Sequence, residues 1–394
     1  MPLARHYRAV AASNLGAGLV WSADRADAER VLADAELQLA DLGLDLPMLN
    51  VTAHRALLDA MAGRVRKADR RATSALELID RRAWGSEYQA LGIYLALGLV
   101  HLGRGQYGKA GRMIRRGLSA TGQLTDRAVR LVLAITAVQV SVAKGDTAAA
   151  AAADDRLRAG IDRTPGAPLR IRRWAAVAGA QALISAGRPK EAVRLISEPG
   201  EDRGFAGAWE RVCLAHGYLE LSELGRAEAL LRPMSSESGW QDLEPLVMAE
   251  LLHAAISSLL HRDGLALKFF TAAVRRAQPE QIRRPFLLLD GHLRSTVHRY
   301  RLLDGEHSAF VESVAPGDPA SRPHGGDPGS LEHLTEREQA VLDYLPTMLK
   351  ANEIAADLHV SVNTVKAHLR SLYRKLDAGT RREAVERARA RGLL

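Results

Sequence analysis

The last sixty positions carry an apolar pattern whose spacings alternate between three and four residues. Its members are Val362, Val365, Leu369, Leu372 and Leu376. On a helix these positions form one continuous stripe, so the pattern predicts an amphipathic helix. Ser361 directly precedes the stripe and is a good N-cap for that helix.

Shorter patterns surround this helix. Apolar positions 354, 355 and 358 predict a short helix before it, and residues 359–360 predict a tight turn between the two. Thr335 and Glu338 fit a capping box that opens an earlier helix, which Pro346 should end. Thr380 and Glu383 fit a second capping box that opens a last helix. The segment is therefore predicted as four helices with a helix-turn-helix at its centre.

The face opposite the apolar stripe carries amide and cationic side chains. It holds Asn363, Lys366, Arg370, Arg374 and Lys375, and no acidic residue falls between Ser361 and Leu376. An acid-free face suits a phosphate surface, because each anion would cost binding free energy. The alternative is a solvated helix face, which would normally mix both signs of charge. His368 lies between the two stripes and is predicted to be packed or phosphate-facing rather than a metal ligand.

These residues carry a family resemblance. Residues 334 to 394 resemble the four-helix DNA-binding domain of LuxR-type transcriptional regulators. The matching positions are Leu334, Thr335, Arg337, Glu338, Val341, Leu342, Glu353, Ile354, Ala355, Leu358, Val360, Ser361, Thr364, Val365, Lys366, His368, Leu369, Tyr373, Lys375, Leu376, Arg381, Ala384 and Val385. Two positions depart from the family. Met348 stands where a turn glycine is usual, and Lys350 where a capping serine is usual, so that connection is expected to be built differently.

The resemblance also implies a site. The predicted DNA-binding set is Asn363, Thr364, Lys366, Ala367, Arg370, Arg374 and Lys375. By resemblance, residues 366, 367 and 370 face base edges, and residues 363, 364 and 375 face phosphates. The last helix is implied to form a dimer contact, so the expected partner is double-stranded DNA bound by a homodimer.

Residues 1 to about 310 show a different periodicity. They are rich in Ala, Leu and Arg, which favours helices throughout. Glycines recur at spacings near 40 residues, at Gly63, Gly105, Gly145, Gly187, Gly225 and Gly264. The first four are followed five residues later by alanine, at Ala68, Ala110, Ala150 and Ala192. We interpret each glycine as the turn of a helical hairpin, with the small alanine allowing close helix contact.

A stack of such hairpins predicts an all-α, tetratricopeptide-like solenoid. The period near 40 exceeds the 34 residues of the standard repeat and resembles the sensor region of MalT-like regulators. An irregular helical domain with glycines in its loops is the alternative. The predicted domains are a helical-repeat domain (residues 1–312), a flexible linker rich in proline and glycine (residues 313–330) and the helix-turn-helix domain (residues 331–394).

Composition adds limits to function. The formal net charge is +8 and the sequence pI is about 9.8, which suits anionic partners. Cys213 is the only cysteine, so no disulfide forms within the chain. Neither a signal peptide nor a transmembrane helix is predicted, and residues 9–20 are expected to belong to a soluble first helix. We therefore expect a cytoplasmic protein without a membrane partner.

Candidate chemistry outside the C-terminal region is sparse. Residues 103–110 approach a nucleotide-binding P-loop, but Ala110 replaces the required Ser or Thr and the preceding segment is predicted as a helix. MalT-like regulators usually carry an ATPase module, for which this chain offers no other candidate. We expect no cofactor, no metal and no enzymatic activity. The predicted function is a DNA-binding transcriptional regulator whose repeats sense a small molecule or protein effector. The alternative is a repeat-based interaction scaffold with secondary DNA binding.

Overall fold

The computed structural model describes most of the chain. The described residues are 2–22, 25–120, 126–196, 205–236, 242–288, 295–296, 299, 307–314, 341–347, 349–357, 365, 369, 372–373, 376, 378 and 380–390. They contain helices and no strand, which confirms the predicted all-α class. The chain divides into two compact units, Met1–Pro319 and Ala320–Leu394.

Sixteen helices of the first unit lie within the described residues. They are α1 (Pro2–Ser22), α2 (Arg25–Ala40), α3 (Asp45–Met61), α4 (Val65–Arg82), α5 (Tyr88–Gly103), α6 (Tyr107–Ser119), α7 (Arg127–Ala143), α8 (Thr147–Asp162), α9 (Leu169–Ser185), α10 (Pro189–Ile196), α11 (Phe205–Glu220), α12 (Leu224–Ser236), α13 (Leu243–Leu259), α14 (Asp263–Ala277), α15 (Arg284–Leu287) and α16 (Ser308–Val314). None of the helices described is both long and apolar enough to cross a membrane.

Helices α3 to α14 form six consecutive hairpins. The first helix of each hairpin packs on its own partner and on the first helix of the next hairpin, as α5 does on α6 and α7. The first and second helices of a hairpin are buried to different extents, so they need different sequences. Helix α5 buries 13 of its 16 residues, whereas α4 buries only one stripe at spacings of three and four, from Val65 to Ile79. Nearest-neighbour stacking of this kind is the solenoid arrangement that the periodicity predicts.

Four of the six predicted turn glycines have the expected backbone. Gly63, Gly105, Gly145 and Gly187 have φ between 71° and 81°, the left-handed conformation that ends many helices. Each of these turns also has the hydrogen bond of a Schellman motif, such as the one from Gln106 N–H to the His101 carbonyl (2.8 Å). The predicted glycine turns are confirmed at these four positions.

The prediction was wrong at Gly225 and Gly264. Both lie in the second position of a helix, α12 and α14 respectively. The left-handed residues of these hairpins come three positions earlier, at Ser222 (φ 62°) and His261 (φ 57°). The chain therefore makes the same turn there without glycine, at a conformational cost of about 1 kcal/mol for a residue with a side chain.

The buried alanine marks the register better than the glycine does. Ala68, Ala110 and Ala150 are fully buried, and Ala192 is 2% exposed. Counting five residues from Ser222 and His261 leads to Ala227 and Ala266, which are also fully buried. All six second helices thus place an alanine against the first helix at the same distance from the left-handed residue.

The near-P-loop segment belongs to this array. Helix α5 ends at Gly103, Gly105 makes the left-handed turn, and Tyr107 begins α6. A helix therefore occupies the place of the strand that precedes a P-loop, which confirms the helix predicted before these glycines. Lys109 is exposed on α6, next to the buried Ala110.

The array also contacts itself over a long sequence separation. The N–H of Leu243, at the start of α13, donates to the carbonyl of Ala62 in the α3–α4 turn (3.2 Å). The N–H of Arg283 donates to the carbonyl of Gly103 at the end of α5 (2.8 Å). The last hairpin and the short helix α15 therefore pack against the turns of the first two hairpins.

Candidate nucleic-acid interface

The C-terminal unit has its own hydrophobic core. Its described helices are a helical stretch at residues 341–344, α17 (Ala351–Asp357) and α18 (Arg381–Ala390). The buried core residues are Val341, Leu342, Leu345, Ile354, Ala355, Val365, Leu372, Leu376, Ala378, Ala384 and Ala388. The unit therefore encloses an apolar centre made from all its described segments.

The apolar stripe of the predicted recognition helix faces this core. Val365 and Leu372 are fully buried, Leu376 is 1% exposed, and Leu369 packs against the same cluster. The inward face is thus confirmed at every stripe position that the structure describes. Val362, the remaining member, lies outside the described residues, as does His368.

The predicted DNA-binding residues cannot be placed in the same way. Asn363, Thr364, Lys366, Ala367, Arg370, Arg374 and Lys375 all lie outside the described residues. Each assignment therefore stays a prediction. The structure describes only the inward face of this helix, through the buried stripe positions.

The connection before α17 differs from the family pattern as expected at Lys350. A lysine at this N-cap position has no side-chain acceptor to offer the helix. The carboxylate of Glu353 instead accepts the backbone N–H of Lys350 (Oε2···N 2.6 Å). This bond is one half of a capping box, and a carboxylate is also favourable in a first helical turn. Met348, the other departure, lies outside the described residues.

Arg381 is the principal link in this connection. Its Nε donates to the carbonyl of Leu345 (3.0 Å) and its Nη1 to that of Leu349 (2.6 Å). Its Nη2 donates to the carbonyls of Tyr344 and Thr347, both at 2.9 Å. One guanidinium group thus binds four carbonyls of the segment between the first helix and α17. The sequence marked Arg381 only as a family match, and nothing local predicted this role.

Helix α18 is capped as the sequence predicts. The Thr380 hydroxyl accepts the N–H of Glu383 (3.2 Å), which is the N-cap bond of the predicted capping box. Further along α18, the guanidinium of Arg387 donates to the carbonyl of Leu376 (3.2 Å). These bonds, together with buried Ala384 and Ala388, fix α18 against the C-terminal end of the recognition segment.

The helical array offers a second candidate site. A groove of about 460 Å³ lies between α8 and α10 over the small residues of α9, among them Gly179. Asp154 and Arg158 form one wall, and Arg188 and Glu191 form part of the other. Such a mixed-charge groove suits a polar ligand more than an apolar one.

No metal centre emerges from the described part of the chain, which contains no group of three or more His, Cys, Asp or Glu residues able to hold an ion. Cys213 is buried in the array, and burial raises the pKa of its thiol to about 12. A thiol that stays protonated is a poor nucleophile and a poor metal ligand.

The C-terminal unit is a small helical domain whose amphipathic helix turns its apolar stripe inward, an arrangement that helix-turn-helix domains share. More particularly, residues 332–388 match the family of bacterial regulatory proteins called the luxR family. The C-terminal unit is therefore a LuxR-type helix-turn-helix domain, as its residues predicted.

Named relatives are similar to part of this chain. The chain is 49% identical over 61 residues to the transcriptional regulatory protein YdfI of Bacillus subtilis, a match that covers 16% of this chain and 29% of YdfI. It is 29% identical over 136 residues to the nitrate/nitrite response regulator protein NarP of Escherichia coli, covering 31% of this chain and 60% of NarP. The chain thus spans less than two thirds of the length of these relatives.

A third relative extends beyond the domain. The chain is 26% identical over 228 residues to the HTH-type transcriptional regulator MalT of Klebsiella pneumoniae, covering 55% of this chain and 22% of MalT. An alignment of that length is longer than the C-terminal unit and includes part of the helical array. The predicted resemblance to MalT-like regulators is confirmed by this match.

Proposed function

We propose that this chain is a transcriptional regulator that acts in the cytoplasm and binds double-stranded DNA through its LuxR-type domain. The observation that carries the proposal is the apolar stripe of the recognition helix, which is buried at Val365, Leu372 and Leu376. On a helix, a buried stripe leaves the opposite face for a partner. That opposite face is the acid-free one, with Lys366 and Arg370 one turn apart.

Within this proposal the residues divide by role. Lys366, Ala367 and Arg370 meet base edges in the major groove, where an arginine can bind guanine with two hydrogen bonds. Asn363, Thr364 and Lys375 meet phosphates and fix the register of the helix on the duplex, and Arg374 adds positive charge to the same set. Helix α16 ends at the buried Val314, so the first boundary predicted at residue 312 moves to 314. The proposed boundaries are residues 1–314 for the array, 315–330 for the linker and 331–394 for the DNA-binding domain.

Arg370→Ala and Lys375→Ala test these roles in the full chain. Genomic fragments selected on the wild-type protein first supply a cognate site. Arg370→Ala should then lose about 1–3 kcal/mol at that site and little on random DNA, because a base contact is sequence-specific. Lys375→Ala should weaken both alike and reduce the salt dependence of binding. Arg30→Ala is the control, because this arginine lies on α2, outside the DNA-binding domain, with its side chain 73% exposed.

The measurement is a titration by fluorescence anisotropy at several salt concentrations. Equal losses on cognate and random DNA would remove Arg370 from the base-reading set. The scaffold alternative makes a different prediction, because it expects no genomic fragment to be enriched over random sequence.

We further propose that the protein binds DNA as a homodimer through α18, as the resemblance implies. A single small domain makes few phosphate contacts, so pairing raises affinity through effective concentration. Sedimentation of the full chain with DNA containing one or two half-sites tests this. Binding of one protomer with full affinity to a two-half-site duplex would contradict it.

The array is proposed to receive a small-molecule or protein effector in the groove between α8 and α10. Ala151 lines this groove from α8 and is exposed, so Ala151→Trp should fill it without disturbing the core. The next residue, Ala152, is exposed but does not line the groove, so Ala152→Trp is a matched control. A candidate effector that shifts DNA affinity in the control should have no effect on Ala151→Trp. An equal response in both variants would place the effector elsewhere.

A further inference from the structure

The self-contact of the array has properties that ordinary hairpin stacking lacks. In a solenoid each repeat contacts only its neighbours. Here the contact joins residues about 180 positions apart, and we call it the closure joint. On one side are the α3–α4 turn (residues 62–66) and the α5–α6 turn (residues 103–105). On the other are residues 242–243 and residues 280–287, which include α15.

Polar contacts connect the two sides at three separate points. Besides the backbone bonds of Leu243 and Arg283 described above, the N–H of Arg66 donates to the Glu280 carboxylate (Oε2···N 2.8 Å). Asp242, which is 2% exposed, forms an ion pair with Arg25 of α2. The joint is therefore specified by directional bonds and not only by apolar contact.

Apolar burial accompanies these bonds. Val65 and Ala68 of α4 and Val100 of α5 belong to the same buried cluster as Phe286 from the other side of the joint. Leu287 is less enclosed, with 37% of its surface exposed. The contact is thus partly core-like and partly open to solvent at its edge.

Two turn glycines fit the joint closely and two do not. A Cβ on Gly63 would lie 2.5 Å from the Cβ of Leu243, and one on Gly105 would lie 2.4 Å from Cδ1 of Leu287. A Cβ on Gly145 or Gly187 would meet nothing within 4 Å. All four glycines have left-handed backbones of similar φ. Only Gly63 and Gly105 are also in close contact with the other side of the joint.

The joint also encloses polar groups whose hydrogen-bonding capacity is not met. Arg284 is 3% exposed, and its Nη1 donates to Glu244 (3.3 Å) while its guanidinium lies 5.4 Å from the Trp209 ring centre. Its Nε and Nη2, and the hydroxyl of Tyr107, are buried with no hydrogen-bond partner among the described residues. Unmet buried donors favour states in which water reaches them. Opening of the joint would expose these three groups to water.

The joint also contacts α16, from which the chain continues towards the C-terminal unit. The Phe310 ring of α16 packs edge-on against the Phe286 ring of α15, with centroids 5.6 Å apart. Val311 and Val314 of α16 are fully buried in the same cluster. Helix α16 is the last described element before residue 341. A change at the joint therefore reaches the segment from which the chain continues to the DNA-binding domain.

We propose that the closure joint is a latch, which opens without unfolding the hairpins and whose state sets the DNA affinity of the protein. The part that concerns DNA rests on the proposed function. The latch itself does not, because opening is a property of the array alone. An effector or partner that favours one state of the joint would bias the equilibrium between them.

Hydrogen exchange on the full chain tests the latch. In wild-type protein the amides of Leu243 and Arg283 should exchange faster than amides in the middle of α13, because they open locally. Exchange of both sets at one common rate would overturn the proposal, since the joint would then open only with the whole array.

Four glycine variants provide matched comparisons. Gly63→Ala and Gly105→Ala should speed exchange at residues 243 and 283–288 by about tenfold, with the middle of α13 unchanged. Gly145→Ala and Gly187→Ala strain their turns equally but should leave the joint unchanged. Leu287→Ala removes the contact instead of crowding it and should act in the same direction as Gly105→Ala. Unchanged exchange at the joint in the first two variants, or equal acceleration in all four, would overturn the latch.

DNA titration of the same proteins tests the regulatory part. The joint variants should differ from the two control variants in their Kd for a selected fragment by about threefold or more. Equal Kd values in all variants would refute regulation through the joint while leaving DNA binding intact. A wild-type protein that binds no DNA would refute the proposed function, and exchange at the joint would still decide whether the latch exists.

Discussion

Arg381 gives the sharpest test of how the DNA-binding domain is held together. Replacing it by alanine removes four hydrogen bonds to carbonyls of residues 344–349. A bond to a charged group contributes about 1.5–3 kcal/mol net. The four bonds share one guanidinium, and the Thr347 carbonyl bond is exposed, so they do not add fully. We expect Arg381→Ala to cost about 2–4 kcal/mol, the worth of one or two such bonds.

That loss is large for so small a unit. A domain of this size is typically stable by about 3–5 kcal/mol. Arg381→Ala should therefore leave much of the domain open and lower its affinity for every DNA sequence alike. Arg381→Lys should recover only part of the loss, because an ammonium group is a single point and cannot reach four carbonyls as a planar fork does.

Hydrogen exchange of peptides covering residues 341–357 in the full chain measures the effect. A loss of 2 kcal/mol corresponds to exchange on the order of thirtyfold faster. Arg382→Ala is the matched control, because Arg382 is the next residue of α18, is exposed, and pairs with the exposed Glu386 one turn along the helix (3.0 Å). Wild-type exchange rates in Arg381→Ala, or the same acceleration in Arg382→Ala, would refute the reasoning.

Two further predictions concern the array. Arg173 binds the buried Glu210 through two bonds (2.7 and 2.5 Å), so Arg173→Met should cost about 3 kcal/mol in urea unfolding by removing both bonds from a buried carboxylate. Arg188 makes the same two-bond geometry with an exposed partner, and Arg188→Met should not move the midpoint. An equal effect of the two variants would contradict the role given to burial. Burial lowers the pKa of His253 below its ordinary value of 6.5, so the unfolded chain takes up this proton first as the pH falls. The contribution of neutral His253 to the free energy of unfolding is therefore complete above pH 6.5 and is lost as the pH falls towards the folded-state pKa. Urea midpoints at about pH 7.5 and 5.5 should differ less in His253→Gln than in wild type. His253→Gln loses the stacking on the Phe269 ring (centroids 4.5 Å apart) at both pH values, so this loss does not change the difference between them. A difference in urea midpoint equal to that of wild type would refute the role given to His253.

The recurrence of glycine, and of alanine five positions later, predicted the hairpins, because the turn and the close helix contact of each repeat both favour small residues. The prediction misplaced the last two turns because it assigned every turn to a glycine at a fixed spacing. Ser222 and His261 take the left-handed backbone instead, and no residue preference marks them. The buried alanines at positions 227 and 266 were the available signal, since they keep the distance from the turn that the first four hairpins show.

Some features of the candidate site also follow from the local sequence, and others do not. The inward stripe and the Thr380 cap follow from local rules, so the sequence predicted both. Arg381 could not be assigned its carbonyl partners, because they lie 32 to 37 residues earlier in the chain. The closure joint is harder still, since nothing in the local pattern at Gly63 points to Leu243. Contacts of this kind depend on the curvature of the whole stack.

The closure joint has a consequence for how this region can vary. An open solenoid gains or loses repeats at little cost, because each added unit stacks on the last one. Here Leu243 and Leu287 must meet the turns at Gly63 and Gly105, so inserting or deleting one hairpin between α6 and α12 would separate both pairs at once. The number of hairpins is thus fixed by the fold, and length variation should be confined to the loops and the ends.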